Sequence, residues 1–230
     1  MKIMKLLKIF LAAAFMLAAG GILATAQTAW PDDPEAFDYG VAPGTTKTAD
    51  ISTEALAGLG VAKGDKLPSP SIVVDKITWL SGEKNGGQYQ GNRIVYNRIK
   101  AREVVAGVKV ASDVGIRFKI NRPGTFSMYP RFMYADDERA QKFIAVLVTT
   151  KGGVTTATQI FEETKSAENM STSGREQSDK KYRIIFDVTE EMLSGIDEAA
   201  TIYFWHAADN AENIGHMVSY FPPKWTPAKF

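Results

Sequence analysis

From Ile72 onward, apolar and polar residues alternate in short runs that are broken by glycine, proline or small polar groups. The clearest run is Gly115 to Asn121, where Ile116, Phe118 and Ile120 point one way while Arg117 and Lys119 point the other. Successive side chains of an extended backbone leave on opposite sides, so this pattern predicts a strand with one wet face. Ile72–Leu80 is β-branched and apolar, and Gly82–Gly91 reads as a turn around Gly86-Gly87. Arg122-Pro123-Gly124 predicts a turn into a strand over Thr125–Tyr134. Phe143–Thr150 is a continuous apolar run that Lys151-Gly152-Gly153 turns back into Val154–Phe161 as a hairpin. Lys181–Val188 alternates again, with Tyr182, Ile184, Phe186 and Val188 on one face. Thr201–His206 and Ile214–Phe221 read as a last hairpin closed by Ala207–Asn213.

Helical signals are slight. Ser52–Gly60 fits a short helix with a Ser or Thr cap and a glycine stop, and Thr189–Gly195 fits a single turn. Glu162–Lys180 contains only Ala167 and Met170 as apolar residues and reads as a mobile loop. Many short strands, frequent turns and no long amphipathic helix predict an all-β chain built as an antiparallel β-sandwich or jelly roll, with one or two short helical turns.

The N-terminus follows a different rule. Lys2, Lys5 and Lys8 precede an unbroken apolar run from Ile9 to Ala19, and Ala24-Thr25-Ala26 supplies small residues for cleavage. This pattern predicts a secretory signal peptide over residues 1–26, and the chain then acts outside the cytoplasm, secreted or periplasmic. Eleven apolar residues are too few to span ~30 Å of hydrocarbon. Residues 27–71 form an extended lead-in expected to pack on the sandwich, and residues 72–230 form the sandwich domain. Cleavage after Ala26 of the 230-residue chain leaves 204 residues. It also removes three of the 27 basic residues, so 24 remain against 26 acidic ones. This balance gives no electrostatic footprint for nucleic acid. The absence of cysteine excludes disulfides, thiolate metal sites and cysteine nucleophiles.

Little of the residue chemistry points to catalysis. The chain has no Gly-x-Ser-x-Gly elbow, and only His206 and His216 could act as imidazole bases. Their ten-residue spacing could bring them near each other with Asp209, but nothing matches a zinc motif. Asp136-Asp137-Glu138 is the kind of oxygen cluster that accepts calcium, without EF-hand spacing. No cofactor is expected. Aromatic residues are more informative. If Phe126, Met128, Ile202 and Phe204 are core, alternation sends Tyr129, Arg131, Tyr203 and Trp205 outward, with His206 and Asp209 at the rim. Aromatic faces accept the C–H face of a sugar, and arginine offers planar donors to hydroxyls or carboxylates. A second layer packed over this face would hide it.

The order Val114-Gly115-Ile116-Arg117-Phe118-Lys119-Ile120, then Arg122-Pro123-Gly124-Thr125-Phe126-Ser127-Met128-Tyr129, resembles a pattern in secreted bacterial carbohydrate-binding modules. These are galactose-binding-like jelly rolls of the kind found beside pectate lyases. The resemblance extends from Ile72 to Phe221 and includes Val74–Trp79 and the strand pair Thr201–His206 and Ile214–Tyr220. The Ala207–Asn213 loop, the Glu162–Lys180 insertion and the lack of an attached catalytic domain depart from the pattern. The resemblance implies a non-catalytic protein that binds a glycan or polysaccharide. Two alternatives stand beside it: a jelly-roll polysaccharide lyase or glycoside hydrolase, and a structural or adhesive surface protein.

Overall fold

A computed structural model describes residues 37–38, 53–74, 76–83, 86–91, 93–96, 101–132, 140–166, 180–208 and 217–228, all within the unit Asp32–Phe230. Along the chain, the first strands are β1 (Phe37–Asp38), β2 (Ser71–Val74), β3 (Ile77–Leu80), β4 (Gln88–Tyr89), β5 (Ile94–Tyr96) and β6 (Ala101–Val105). They continue with β7 (Val108–Ala111), β8 (Ile116–Ile120), β9 (Gly124–Met128), β10 (Pro130–Phe132) and β11 (Gln141–Lys151). The last are β12 (Val154–Lys165), β13 (Ile184–Val188), β14 (Ala200–Ala208), β15 (Val218–Tyr220) and β16 (Lys224–Pro227). Helices are confined to α1 (Thr53–Gly58), α2 (Glu190–Leu193) and a 3₁₀ turn at Lys180–Tyr182.

Every strand pairing described is antiparallel. One layer is a six-stranded sheet in the order β12-β11-β14-β8-β3-β2. The opposite layer consists of β1-β16-β9-β13 and β10-β15-β5-β4. These two sheets follow each other along the same two stretches of chain, 124–132 and 218–227. The layers meet through rings: Phe118 stacks on Phe126 at 5.6 Å and lies 5.9 Å from Trp225, and Phe204 lies 5.0 Å from Phe126. Trp79, Trp225, Tyr96, Tyr220, Phe126, Phe143 and Phe204 are fully buried. Each large apolar side chain taken from water contributes about 1.5–3 kcal/mol, and with no cysteine in the chain this core holds the fold. The result is the antiparallel β-sandwich that the alternation predicts.

The predicted alternation survives in detail where the partner strands are regular. Ile116, Phe118 and Ile120 are buried, Lys119 is exposed and Arg117 is half-buried, and the Phe143–Thr150 run pairs with Val154–Phe161 as expected. Three expectations change. The 72–80 segment is two strands, β2 and β3, folded on each other. The polar stretch from Glu162 does not begin as a loop, because β12 continues through Lys165, whose buried ammonium pairs with Glu163 at 2.6 Å and donates to the Lys181 carbonyl at 2.9 Å. The third concerns the closing hairpin. β14 pairs with β11 and β8 in the six-stranded layer, while β15 pairs with β10 and β5 in the other, so they are not hairpin partners.

A further hairpin has no counterpart in the sequence reading. β6 and β7 turn at Ala106 (φ 45°) and Gly107 (φ 82°) and pair only with each other. Two consecutive positive φ values are what a tight two-residue hairpin turn requires. This hairpin lies across the outer face of β14 and β11. Val110 and Ala111 pack there with Val146, Tyr203 and Trp205, a second apolar cluster separate from the main core.

Candidate functional site

The outward face of β10-β15-β5 carries the most distinctive chemistry among the described residues. Tyr220, Ile94 and Tyr89 point inward and belong to the core. Alternation therefore sends Tyr129, Arg131, Ser219, Phe221, Arg93 and Val95 to the other side. Register places Arg131 opposite Ser219 and Ser219 opposite Val95. One position along, the Phe221 amide donates to the Tyr129 carbonyl at 3.2 Å, and Arg93 directly precedes β5 beside it. The rings of Tyr129 and Phe221 are 5.2 Å apart, and the Arg131 guanidinium stands over Phe221 at 5.5 Å from its centroid. A ring face attracts a cation through its quadrupole.

The tyrosine and phenylalanine are buried, each 1% exposed, while Arg131 and Arg93 are half-buried and form the rim. The Arg131 Nε is buried and makes no hydrogen bond among the described residues. Burial holds the Arg93 guanidinium below its ordinary range, and the positive charge of Arg131 lowers it further. Two cations thus share one strip over an aromatic floor.

A bulge builds this strip. Between the pairs Ser127–Lys224 and Pro130–Tyr220, one strand runs through two residues and its partner through three, Phe221, Pro222 and Pro223. Prolines have no amide proton for the ladder, so the pairing breaks there, and the extra residue shifts the alternation by one. As a result Trp225 and Tyr220 both face the core, while Phe221 faces away from it. The break also divides the predicted Thr125–Tyr134 strand into β9 and β10.

Of the six residues predicted to line a binding platform, the structure brings together Tyr129 and Arg131 at this strip, but Tyr129 is only 1% exposed, so the expectation that its ring faces solvent is corrected. Tyr203 and Trp205 lie on the outer face of the other layer, as alternation requires. They are only 7% and 3% exposed, because the β6–β7 hairpin covers them. The expectation that they present their rings outward is therefore corrected. His206 is corrected as well: it is fully buried in the main core rather than at a rim. Its Nδ1 lies 2.7 Å from the Tyr220 hydroxyl, and its Nε2 has no hydrogen-bond partner among the described residues. Removal from water pushes the His206 pKa down to about 3, so the ring is neutral at physiological pH. Asp209 and His216 lie outside the described residues. Sequence reasoning missed Phe221 and Arg93. The Pro222-Pro223 pair, which cannot continue a central strand, was the available signal for the bulge that turns Phe221 to this side of the sheet.

Tyr220 and its neighbour Tyr96 meet edge to face at 5.1 Å, and the Tyr96 hydroxyl lies 3.0 Å from both the Leu80 and Gly115 carbonyl oxygens, to which it donates. Burial raises both phenols well above their ordinary range, so both stay protonated. Among the described residues no group of three or more His, Asp or Glu side chains converges on a point that could hold a metal ion. No described helix is long and apolar enough to cross a membrane.

The fold and strip define an antiparallel β-sandwich with an arginine-rimmed face. Solved structures similar to it include carbohydrate-binding modules. One is the CBM22-1 xylan-binding domain of Paenibacillus barcinonensis Xyn10C, at a TM-score of 0.42 and 14% identity, covering 74% of this chain and 99% of that one. Another is the CBM22-1–GH10 pair of Clostridium thermocellum endo-1,4-beta-D-xylanase 10B complexed with xylohexaose, at a TM-score of 0.39 and 10% identity. That match covers 72% of this chain but 26% of the xylanase chain. No family model matches the sequence, and no curated protein is similar to it.

Proposed function

We propose that this chain is an extracytoplasmic, non-catalytic β-sandwich that binds a glycan through the arginine-bearing face of β10-β15-β5. The observation that carries this reading is the Arg131 guanidinium over the Phe221 ring beside Tyr129, with Arg93 at the adjoining position of β5. Planar donors fixed before the ligand arrives lose little freedom on binding, and sugar hydroxyls and carboxylates are the acceptors that such forks match. The signal-peptide pattern at residues 1–26 supports action outside the cytoplasm. His206, one of the two imidazole bases that a hydrolase or lyase reading could draw on, is sealed in the core and neutral. Affinity electrophoresis and isothermal titration of the mature chain against neutral and acidic polysaccharides test the reading. Retardation by at least one polymer is expected. Absence of binding across the panel refutes it.

A further inference from the structure

We infer that the free edge of β12 is a self-association surface, on which a second copy of this chain adds its own β12 in antiparallel register centred on Ala157. β12 closes one side of the six-stranded sheet and, among the described residues, hydrogen-bonds along its length to β11 alone. One bond fixes where its other peptide groups point. The Thr150 carbonyl accepts the Asp197 amide at 2.8 Å, from the chain that leads into β14, and so faces the β14 side of β11. Thr155 stands opposite Thr150 in the ladder, so its own amide and carbonyl face away from β11. The two-residue period carries this direction to Ala157 and Gln159. The run is closed at both ends, by the Gly152-Gly153 turn and by the bulge that leaves Ile160 without a partner in β11. Unpaired strand edges template pairing with another chain, and proteins usually blunt them with proline, charge or a bulge. Val154–Gln159 has none of these: it reads Val-Thr-Thr-Ala-Thr-Gln, and every residue but the half-buried Ala157 is exposed.

Self-complementarity selects a second copy over any other strand. With Ala157 on the two-fold axis, Thr155 faces Gln159 of the second copy, and every outward peptide of the run finds a partner. Thr156 then meets Thr158, a β-branched cross-strand pair, and only methyl groups meet at the axis. The exposed Val154 meets the half-buried Ile160, which adds apolar burial. The ends are complementary in charge. Glu163 lies opposite the core residue Phe143, and Lys151 shares a face with the core residue Leu147, so both stand on the core side of the sheet. Antiparallel pairing brings the exposed Lys151 of each copy to the Glu163 end of the other. Glu163 binds Lys165 through Oε1, and Oε2 remains for a second ammonium. The opposite edge of the sheet is a poorer partner. β2 has four residues against twelve in β12, so head-to-tail pairing would leave most of β12 bare. The contact uses no residue of β10, β15 or β5 and stands independently of the glycan reading.

Sedimentation velocity and light scattering of the mature chain, over about a hundredfold range of concentration, provide the test. A concentration-dependent shift to twice the monomer mass is expected, and a monomer throughout overturns the inference. Charge variants then test the register. Thr156→Lys combined with Thr158→Lys sets like charges opposite each other, as does Thr156→Glu combined with Thr158→Glu. Each double variant alone should sediment as a monomer, and an equal mixture of the two should form a heterodimer. A dimer that persists in either variant alone overturns the assignment to β12, and a mixture that stays monomeric overturns the antiparallel register. Both positions are exposed, and far-UV circular dichroism checks that the variants fold. A cysteine at the axis gives a second readout that leaves Thr156 and Thr158 untouched, since the chain has no other cysteine. Directly opposed residues of an antiparallel pair lie about 5.5 Å apart between Cα atoms, within disulfide range. Under mild oxidation, Ala157→Cys should cross-link at least about tenfold faster than Leu59→Cys, which is exposed elsewhere on the chain. Equal rates for the two overturn the inference.

Discussion

Acid should destabilise this protein through His206, by an amount the structure allows to be worked out. In the folded chain its pKa is about 3, against 6.5 as the ordinary value, because the ring is fully buried. As pH falls below 6.5, the unfolded chain takes up a proton that the folded chain refuses. The stability contributed by the neutral ring is therefore present above pH 6.5 and is lost progressively down to about pH 3. Each pH unit in that window costs about 1.4 kcal/mol, so the loss is about 2 kcal/mol between pH 7 and 5 and about 3 kcal/mol by pH 4. Carboxylates elsewhere also titrate at the lower end, so a reference protein is needed. His206→Gln supplies one: it keeps a hydrogen-bonding group for the Tyr220 hydroxyl but does not titrate. Urea unfolding of both proteins at pH 7, 6, 5 and 4 gives the difference in stability as a function of pH. The wild type should lose about 2 kcal/mol more than the variant between pH 7 and 5, whatever their offset at pH 7. Parallel profiles, or a His206 resonance titrating near 6.5, would refute the argument and mean that the ring is solvated.

Three further outcomes follow from the packing. Trp205→Ala removes a ring held under the β6–β7 hairpin and should cost about 3–5 kcal/mol in chemical unfolding rather than acting on ligand binding. Gly115 has φ +99°, and an added Cβ would lie 2.2 Å from the Phe204 carbonyl oxygen. Gly115→Ala should therefore lower stability by at least ~2 kcal/mol, and a neutral substitution would show that the β8 and β14 strands separate easily. The Asp197 carboxylate accepts the Gly152 and Gly153 amides at 3.1 and 2.8 Å in the β11–β12 turn, so Asp197→Ala should cost about 1–2 kcal/mol and speed amide exchange at that turn.

The class of fold was legible in the sequence because period-two alternation reports one-sided burial directly. Ile116, Phe118, Ile120, Phe126, Met128, Ile202 and Phe204 all take the core positions that their spacing assigns. Pairing was less legible. Thr201–His206 and the strand ending at Tyr220 are close in sequence and look like a hairpin, but His206 and Tyr220 meet across the core, side chain to side chain. Alternation gives a face for each strand but not the sheet that the strand joins. The outward aromatics show the same limit. Tyr203 and Trp205 do face away from the core, yet the Ala101–Ala111 hairpin covers them, and nothing in the pattern of β14 reveals a cover that comes from elsewhere. Val104-Val105-Ala106-Gly107-Val108 carried a turn signal between β-branched residues that the sequence reading passed over.

The extra residue at Pro222-Pro223 ties the interior to the exterior. It is the step that lets Trp225 and Tyr220 share the core face, so that of two neighbouring aromatic residues it is Tyr220 that points in and Phe221 that points away. Removing one proline would restore simple alternation and exchange their roles. A phenylalanine would then stand where His206 needs a hydroxyl, and a tyrosine would stand where Arg131 rests its charge. The chain therefore cannot retune the arginine strip by sliding this segment without breaking the buried His206–Tyr220 pair, and any drift in the recognition surface is checked by the core.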